Sequence, residues 1–135
     1  MIEEPMNLQQ MMRMQLKFQE RLDPNFNKMN LQQRVAFIKE HSIHLNQEIN
    51  EMLYELPYFK PWKCYDNMST TECNIAMDKA KEEMVDAWHF FMNMMLALGF
   101  SADQLGLMYA EKHAENNKRQ DEGYDHTKIF REVKA

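Results

Sequence analysis

One stretch of the sequence decides the fold: Glu83-Met84-Val85-Asp86-Ala87-Trp88-His89-Phe90-Phe91, an apolar segment interrupted by two acids three residues apart. At about 100° per residue, Glu83 and Asp86 lie on adjacent turns of one helix and can point the same way. Two neighbouring carboxylates repel each other and lose hydration unless a cation lies between them. The stretch therefore predicts a helix and raises the question of a metal site.

A second acidic pair has the same spacing, in Glu48-Ile49-Asn50-Glu51. If the two pairs lie on neighbouring antiparallel helices, the four acids can meet. A cluster of carboxylate oxygens suits Mg²⁺, for which Mn²⁺ can substitute, and such ions share their coordination shell with phosphates. A single pair is weak evidence, because exposed helix faces with salt bridges often contain one. For each pair taken alone, an exposed helix face with salt bridges stays an open alternative.

Length and composition favour one all-α domain over residues 1–135. The chain of 135 residues is 44% hydrophobic, with Gly 3, Pro 4 and Met 14, a balance that favours helices over sheets. We therefore expect a compact bundle of four to five helices. Residues 125–135 form a charged tail that is weakly periodic, with one frayed turn at most.

Four helices are predicted from their capping residues and from the prolines and glycines that end them. The sequence Ser69-Thr70-Thr71-Glu72 has the pattern of a capping box at the start of a helix. Gly99 suits the end of the same helix. Asp23-Pro24 and Pro57 end two earlier helices, because proline cannot continue a helix and the residue before it avoids the helical conformation. The predicted helices cover residues 6–22, 31–56, 70–98 and 102–120.

The charge and the apolar pattern exclude several classes of protein. A net charge of -5 argues against general binding to nucleic acid or to an anionic membrane surface. No apolar run approaches the roughly 20 residues that span a bilayer, and the first residues do not have the pattern of a secretory signal. Cys64 and Cys73 have neither metal-ligand nor disulfide spacing, so a cytoplasmic location is expected.

The fourth predicted helix carries donors for phosphate oxygens on one face. Tyr109, Lys112, Asn116 and Arg119 follow one another at steps of three, four and three residues, so they share that face. Metal ions together with a cationic, hydrogen-bonding face neutralise charge and polarise phosphorus, as phosphoryl chemistry requires. The combination favours an enzyme that acts on a phosphorylated substrate.

These motifs together resemble a known family, the dimeric all-α dUTPases, which are relatives of the MazG-type nucleoside triphosphate pyrophosphohydrolases. The similarity extends from about Gln19 to Tyr124, and the ordered combination is specific although each acidic pair alone is not. The motifs are Glu48-x-x-Glu51, Glu83-x-x-Asp86 with the following His89-Phe90, and Tyr109-x-x-Lys112-x-x-x-Asn116-x-x-Arg119-Gln120-x-x-Gly123-Tyr124.

The resemblance implies hydrolysis of dUTP to dUMP and pyrophosphate. Its metal ligands would be Glu48, Glu51, Glu83 and Asp86, holding Mg²⁺. A metal-bound water would be the nucleophile, and either Glu48 or Glu51 would take its proton as the catalytic base, with Glu51 favoured.

The resemblance also assigns the substrate contacts. Gln19 is similar by position to the family's pyrimidine-contacting glutamine, and Trp62 to the loop aromatic near the base. For Gln19 the alternative is a surface helix residue, and for Trp62 a hydrophobic plug. His89 is expected to be a satisfied buried histidine and not a ligand, because hard metal ions seldom bind imidazole. The phosphate chain would be held by Lys112, Asn116, Arg119 and Tyr124.

The resemblance further implies a homodimer. The chain lacks the extra helical segments of longer family members, so a complete site would borrow residues from a second subunit. The expected contacts are the Met-rich faces of the first helix and of Met92, Met94 and Met95.

Three alternatives to a dUTPase remain open. The first is a dCTPase or a broader dNTP pyrophosphohydrolase of the same fold, because base choice depends on a few pocket contacts. The second is a di-iron helical bundle, which normally has an acid-x-x-His motif on two helices, whereas only Asp86-x-x-His89 fits here. The third is a non-catalytic interaction module. No nucleic acid or membrane partner is expected.

Overall fold

The computed structural model describes residues 4–123, which form four α-helices and one short 3-10 helix, with no strand in that range. The predicted all-α class is confirmed, and each predicted helix end agrees with the observed end to within two residues. The helices are α1 (Leu8–Leu22), α2 (Leu31–Glu55), α3 (Thr70–Leu98) and α4 (Ala102–Asp121), and the 3-10 helix covers Phe26–Lys28.

The chain divides into two units, residues 1–100 and 101–135. The first contains α1, the 3-10 helix, α2 and α3, and the second contains α4. The charged tail predicted at 125–135 lies outside the described residues. Among the helices of residues 4–123, none is long and apolar enough to cross a membrane.

Side-chain caps fix where the helices begin. Asn7 and Asn30 each form a complete capping box, and Ser69 and Ser101 each accept a hydrogen bond from the third backbone N–H of the helix that follows. At the end of α3, Gly99 has a φ of 88°, a left-handed conformation that glycine adopts without a Cβ clash.

Helices α2 and α3 form an antiparallel hairpin. Near the start of α2 the Arg34 guanidinium donates to the Ala97 carbonyl near the end of α3. Near the other end of the hairpin, Glu48 approaches Glu83. Because a residue late in α2 lies beside a residue early in α3, and the reverse holds at the other end, the two helices run in opposite directions. This is the arrangement that the two acidic pairs need in order to meet.

Helix α1 lies along α3 and runs parallel to it. Gln15 contacts His89, and Gln19 contacts Asn93, so a step of four residues on α1 matches a step of four on α3. The buried face of α1 is formed by Met12, Gln15 and Gln19. Two of these three residues are polar, which is unusual for a helix face that packs on another helix.

The core consists mainly of alanine and methionine side chains. Met92 and Met95 are 2% and 3% exposed, so both are used inside the chain and their predicted place in a dimer interface is wrong. Met94 is half-buried. The small alanines allow close approach of the helix backbones, and the flexible methionines fill the remaining gaps. The buried hydrophobic residues are Met12, Phe26, Ala80, Ala87, Met92, Met95 and Ala97.

Candidate functional site

Three of the four predicted acids meet between α2 and α3. Glu48 and Glu83 are half-buried and Asp86 is exposed, and one carboxylate oxygen from each lies within 4.8 Å of the other two. The hairpin brings them together because Glu83 and Asp86 are one turn apart on α3 and face Glu48 across the helix interface. Three oxygen donors at this separation could bind one divalent cation.

The fourth acid, Glu51, lies at the exposed edge of this group, one turn after Glu48 on α2. Its carboxylate acts on both Glu48 and Glu83, through its charge and through hydrogen bonding, and both effects raise their pKa values. The structure thus groups Glu48, Glu83 and Asp86 in one acidic cluster, and Glu51 adjoins this cluster at its exposed edge. Their roles as metal ligands and base stay predictions.

The electrostatics of the cluster disfavour four free carboxylates. Loss of hydration raises the pKa of Glu48 from 4.5 to about 7, and hydrogen bonding to Glu83 and the charge of Glu51 add to the effect. The pKa of Glu83 is raised as well: its hydrogen bond to Glu48 lowers it, but lost hydration and the charge of Glu51 outweigh that contribution. The cluster therefore retains a proton more readily than ordinary carboxyl groups do.

One atom of Glu48 supports a cation at the centre of the cluster. Its Oε2 is buried and has no hydrogen-bond partner among residues 4–123. A buried carboxylate oxygen without a partner is costly, and coordination to a cation would remove that cost. Every donor in the group is a carboxylate oxygen, so the residues fit a hard ion such as Mg²⁺ or Mn²⁺.

A second polar group, which the sequence analysis missed, lies between α1 and α3. Asn93 is 3% exposed, and its Oδ1 accepts hydrogen bonds from Gln15 Nε2 at 2.8 Å and Gln19 Nε2 at 3.0 Å. Its Nδ2 lies 3.2 Å from His41 Nδ1, while Gln15 Oε1 lies 2.9 Å from His89 Nδ1. We call these five side chains the amide cluster. One signal was visible in the sequence, a single asparagine inside the apolar run from Phe90 to Ala97.

Two predictions about single residues on α1 and α3 are decided by this cluster. Gln19 is 5% exposed, so the alternative of a surface residue is wrong. His89 has a hydrogen-bond partner, as predicted, but it is exposed and lies at the edge of an apolar cavity of about 480 Å³ between α1 and α3. Within the described part of the chain, His89 is not among the clustered side chains that could hold a metal ion.

Trp62 is 77% exposed in the loop between α2 and α3, so it is not a hydrophobic plug. The loop also exposes Tyr58 and Phe59, and Tyr58 has a φ of 67°. A strained tyrosine in an exposed aromatic loop is compatible with a ligand-binding role. The contact of Trp62 with a base stays a prediction.

On α4 the predicted phosphate-binding residues are exposed and share one face. Glu115 contacts two of them: its carboxylate lies 3.4 Å from Lys112 Nζ and 2.8 Å from an Arg119 guanidinium nitrogen. Asn116 is exposed beside them. Tyr124 lies outside the described residues. The face is therefore cationic but internally paired, and its phosphate role stays a prediction.

Comparison with known proteins identifies relatives of the chain. A family profile described as dUTPase matches residues 7–98, which include both acidic pairs and the amide cluster. A dCTP pyrophosphatase of Enterobacteria phage LZ5 is 41% identical over 71 residues, covering 49% of this chain and 41% of that protein. A dCTP pyrophosphatase of Enterobacteria phage T4 is 28% identical over 110 residues, covering 67% of this chain and 62% of that protein.

The chain thus spans between about two fifths and three fifths of the length of these two relatives, which are 41% and 62% covered. No solved structure matches. The family profile covers more than half of the chain, with the whole of α1, α2 and α3 inside the match. On this evidence the chain belongs to the all-α dUTPase family.

Proposed function

We propose that this protein hydrolyses a pyrimidine deoxynucleoside triphosphate to the monophosphate and pyrophosphate in the presence of Mg²⁺. The first candidate substrate is dUTP. The observation that carries the proposal is the unpartnered Oε2 of Glu48, which lies beside Glu83 and Asp86 with Glu51 at the edge of the cluster. The ligands would be Glu48, Glu51, Glu83 and Asp86. Bound Mg²⁺ would neutralise charge on the triphosphate and lower the pKa of a water molecule.

The positions of the acids support different roles for Glu48 and Glu51, as metal ligand and as general base. Glu48 is half-buried and lies at the centre, where it contacts the other carboxyl groups, so it suits a ligand. Glu51 is exposed at the edge of the cluster, where it is accessible to solvent. A general base needs a free oxygen within hydrogen-bond reach of the attacking water. Glu51 is therefore the better candidate for taking that proton.

The face of α4 that carries Lys112 and Arg119 would hold the phosphate chain. Both cations now contact Glu115, a single carboxylate on an exposed helix surface, where such pairs contribute little. A triphosphate has more negative charge and more acceptor oxygens than one carboxylate, so it would compete with Glu115 for these donors. Asn116 and Tyr124 are proposed to add neutral hydrogen bonds.

Two candidates for the base of the substrate have support. Family membership favours dUTP, and the two phage relatives named as dCTP pyrophosphatases favour dCTP as the second candidate. Gln19 and Trp62 would contact the base. A carboxamide offers one acceptor and one donor group, which can pair with the edge of either pyrimidine.

A panel of nucleotides tests the activity. We expect pyrophosphate release from dUTP or dCTP with Mg²⁺ or Mn²⁺, rates at least about 100-fold lower with EDTA, and little release from dTTP or UTP. Initial rates and the identity of the products, monophosphate and pyrophosphate, are measured with the full chain. Absence of metal-dependent hydrolysis of every nucleotide would refute the proposal, and a clear preference for dCTP would replace dUTP by the second candidate.

An exposed apolar surface supports the proposed homodimer. On α3 large side chains recur every seven residues and remain 44% to 61% exposed, and on α2 the exposed apolar residues include Leu31, Val35 and Ile49. Because α2 and α3 are antiparallel, helical geometry places both rows on the same face of the hairpin, away from α1. A second copy could cover them by forming a four-helix bundle. We call these residues the hairpin stripe: Met77, Met84, Phe91, Leu98, Leu31, Val35 and Ile49.

The substitution Met84→Glu tests this interface. Met84 is 61% exposed, so the monomer should tolerate glutamate, but a charge buried in a dimer core should weaken association by about 30-fold or more. Sedimentation equilibrium measures the effect. Met14→Glu on α1, where Met14 is 52% exposed, is the matched control and should leave association unchanged. Dissociation by Met14→Glu alone would assign the interface to α1, and a monomeric wild type would refute the dimer.

A further inference from the structure

The amide cluster places Asn93 where it can control a substrate contact. The side chain is 3% exposed and joins α1, α2 and α3, because its Oδ1 accepts from two glutamines and its Nδ2 approaches His41. Burying three carboxamides at a helix interface is less favourable than packing apolar side chains of the same size, unless every polar group is paired. A pure packing role therefore does not explain the choice of residues.

The donors and acceptors of the amide cluster fit together in only one orientation of each amide. Asn93 Nδ2 donates to His41 Nδ1, so that ring nitrogen carries no proton, in agreement with the burial that lowers the pKa of His41. The Oδ1 of Asn93 must then face the two glutamines, which turn their Nε2 groups toward it. Turning one amide alone would set two oxygens or two NH₂ groups against each other. The orientation of Gln19 is thus coupled to that of Asn93.

We propose that Asn93 is a positioning residue for base recognition: it fixes the carboxamide of Gln19 in one orientation, and this fixed orientation determines which pyrimidine is preferred. The inference rests on the proposed function, in which Gln19 contacts the base. One N–H of Gln19 Nε2 is used by Asn93, whereas Gln19 Oε1 has no hydrogen-bond partner in residues 4–123. The acceptor and the second N–H of Gln19 are therefore available in a fixed order.

A fixed order matters because uracil and cytosine differ in it. Uracil offers N3–H as a donor beside two carbonyl acceptors, whereas cytosine offers N4–H₂ as a donor beside N3 as an acceptor. A glutamine whose carboxamide turns freely can pair with either base. A glutamine held in one orientation and at one position leaves an unpaired polar group against the wrong base. Unpaired buried groups are what give hydrogen-bonding sites their largest discrimination.

The ratio of kcat/KM for dUTP and dCTP tests the inference. The variants Asn93→Leu and His41→Phe should each bring the ratio at least about tenfold closer to one, because Gln19 then turns more freely. Asn93→Asp should keep the wild-type ratio, since its carboxylate still accepts from both glutamines. Gln15→Met is the matched control: Gln15 donates to the same oxygen, but its loss leaves Gln19 bonded to Asn93, so the ratio should stay unchanged.

The outcomes separate this inference from the proposed function. If the wild type hydrolyses neither nucleotide, the proposed function fails. If it hydrolyses both without preference, or if Asn93→Leu and His41→Phe lower both values of kcat/KM by the same factor, Asn93 has only a structural role and the inference is overturned. If Asn93→Leu does not fold, His41→Phe decides alone, because phenylalanine can keep the stacking of His41 on Phe37 at 3.9 Å.

Discussion

Replacing Glu48 by glutamine is expected to lower kcat/KM by about 1000-fold and to stabilise the metal-free protein at the same time. The loss follows because the amide cannot replace a central carboxylate ligand. The gain in stability follows because lost hydration and, to a smaller extent, the charges of the neighbouring acids raise the pKa of Glu48 to about 7, and a neutral amide reduces both costs. Removing these costs should raise the free energy of unfolding by about 1 kcal/mol after allowance for solvent screening, or roughly 3–5 °C in Tm.

Opposite signs for activity and stability are the diagnostic feature of this prediction. A residue needed only for folding would lose both together. Glu82→Gln is the matched control, because Glu82 adjoins Glu83 on α3, carries the same charge and is exposed outside the cluster. It should retain both the activity and the Tm of the wild type. Activity of Glu48→Gln within tenfold of the wild type would remove Glu48 from the site, and a lower Tm would show that its carboxylate is stabilising as it stands.

The helices and the meeting of the acids could be read from local sequence. Asn30, Ser69 and Ser101 each precede a run of helix formers, and Gly99 ends α3, so the helix boundaries follow from hydrogen bonds made within a few residues. The acidic pairs met because each occupies one turn of a helix, and a loop long enough for an antiparallel return joins the two helices. Both inferences needed only the types and the spacing of residues that are close in the sequence.

The amide cluster could not be predicted in the same way, because it depends on how α1 docks. Gln15 and Gln19 share a face of α1, but nothing in their spacing names Asn93, 74 residues beyond Gln19, as the partner. Sequence periodicity also misplaced Met92 and Met95, which are as apolar as the exposed Met84 and differ only in the side of α3 that they occupy. Docking decides which apolar side of a helix becomes core.

Mg²⁺ should stabilise the protein more strongly as the pH rises. The pKa of Glu48 is raised from 4.5 to about 7 in the folded protein, so the folded state binds more protons than the unfolded state between these values. Its contribution to stability is therefore complete below about pH 4.5 and is lost as the pH rises through about 7. Mg²⁺ binds the deprotonated carboxylates, so proton and metal compete for the same oxygens.

The expected result is a Tm of the metal-free protein that falls between pH 5 and 8, with a Mg²⁺ increment that is small at pH 5 and reaches about 10 °C at pH 8 when Mg²⁺ exceeds its Kd by about 100-fold. Thermal unfolding at several pH values, with and without EDTA, measures both trends. NaCl at the same ionic strength controls for charge screening. Glu48→Gln isolates the carboxyl group: the Tm of the metal-free variant should fall much less between pH 5 and 8, and its Mg²⁺ increment should be small at every pH. An increment in the wild type that does not depend on pH would mean that Mg²⁺ binds away from Glu48, and the four acids would then form only a charged patch between two helices.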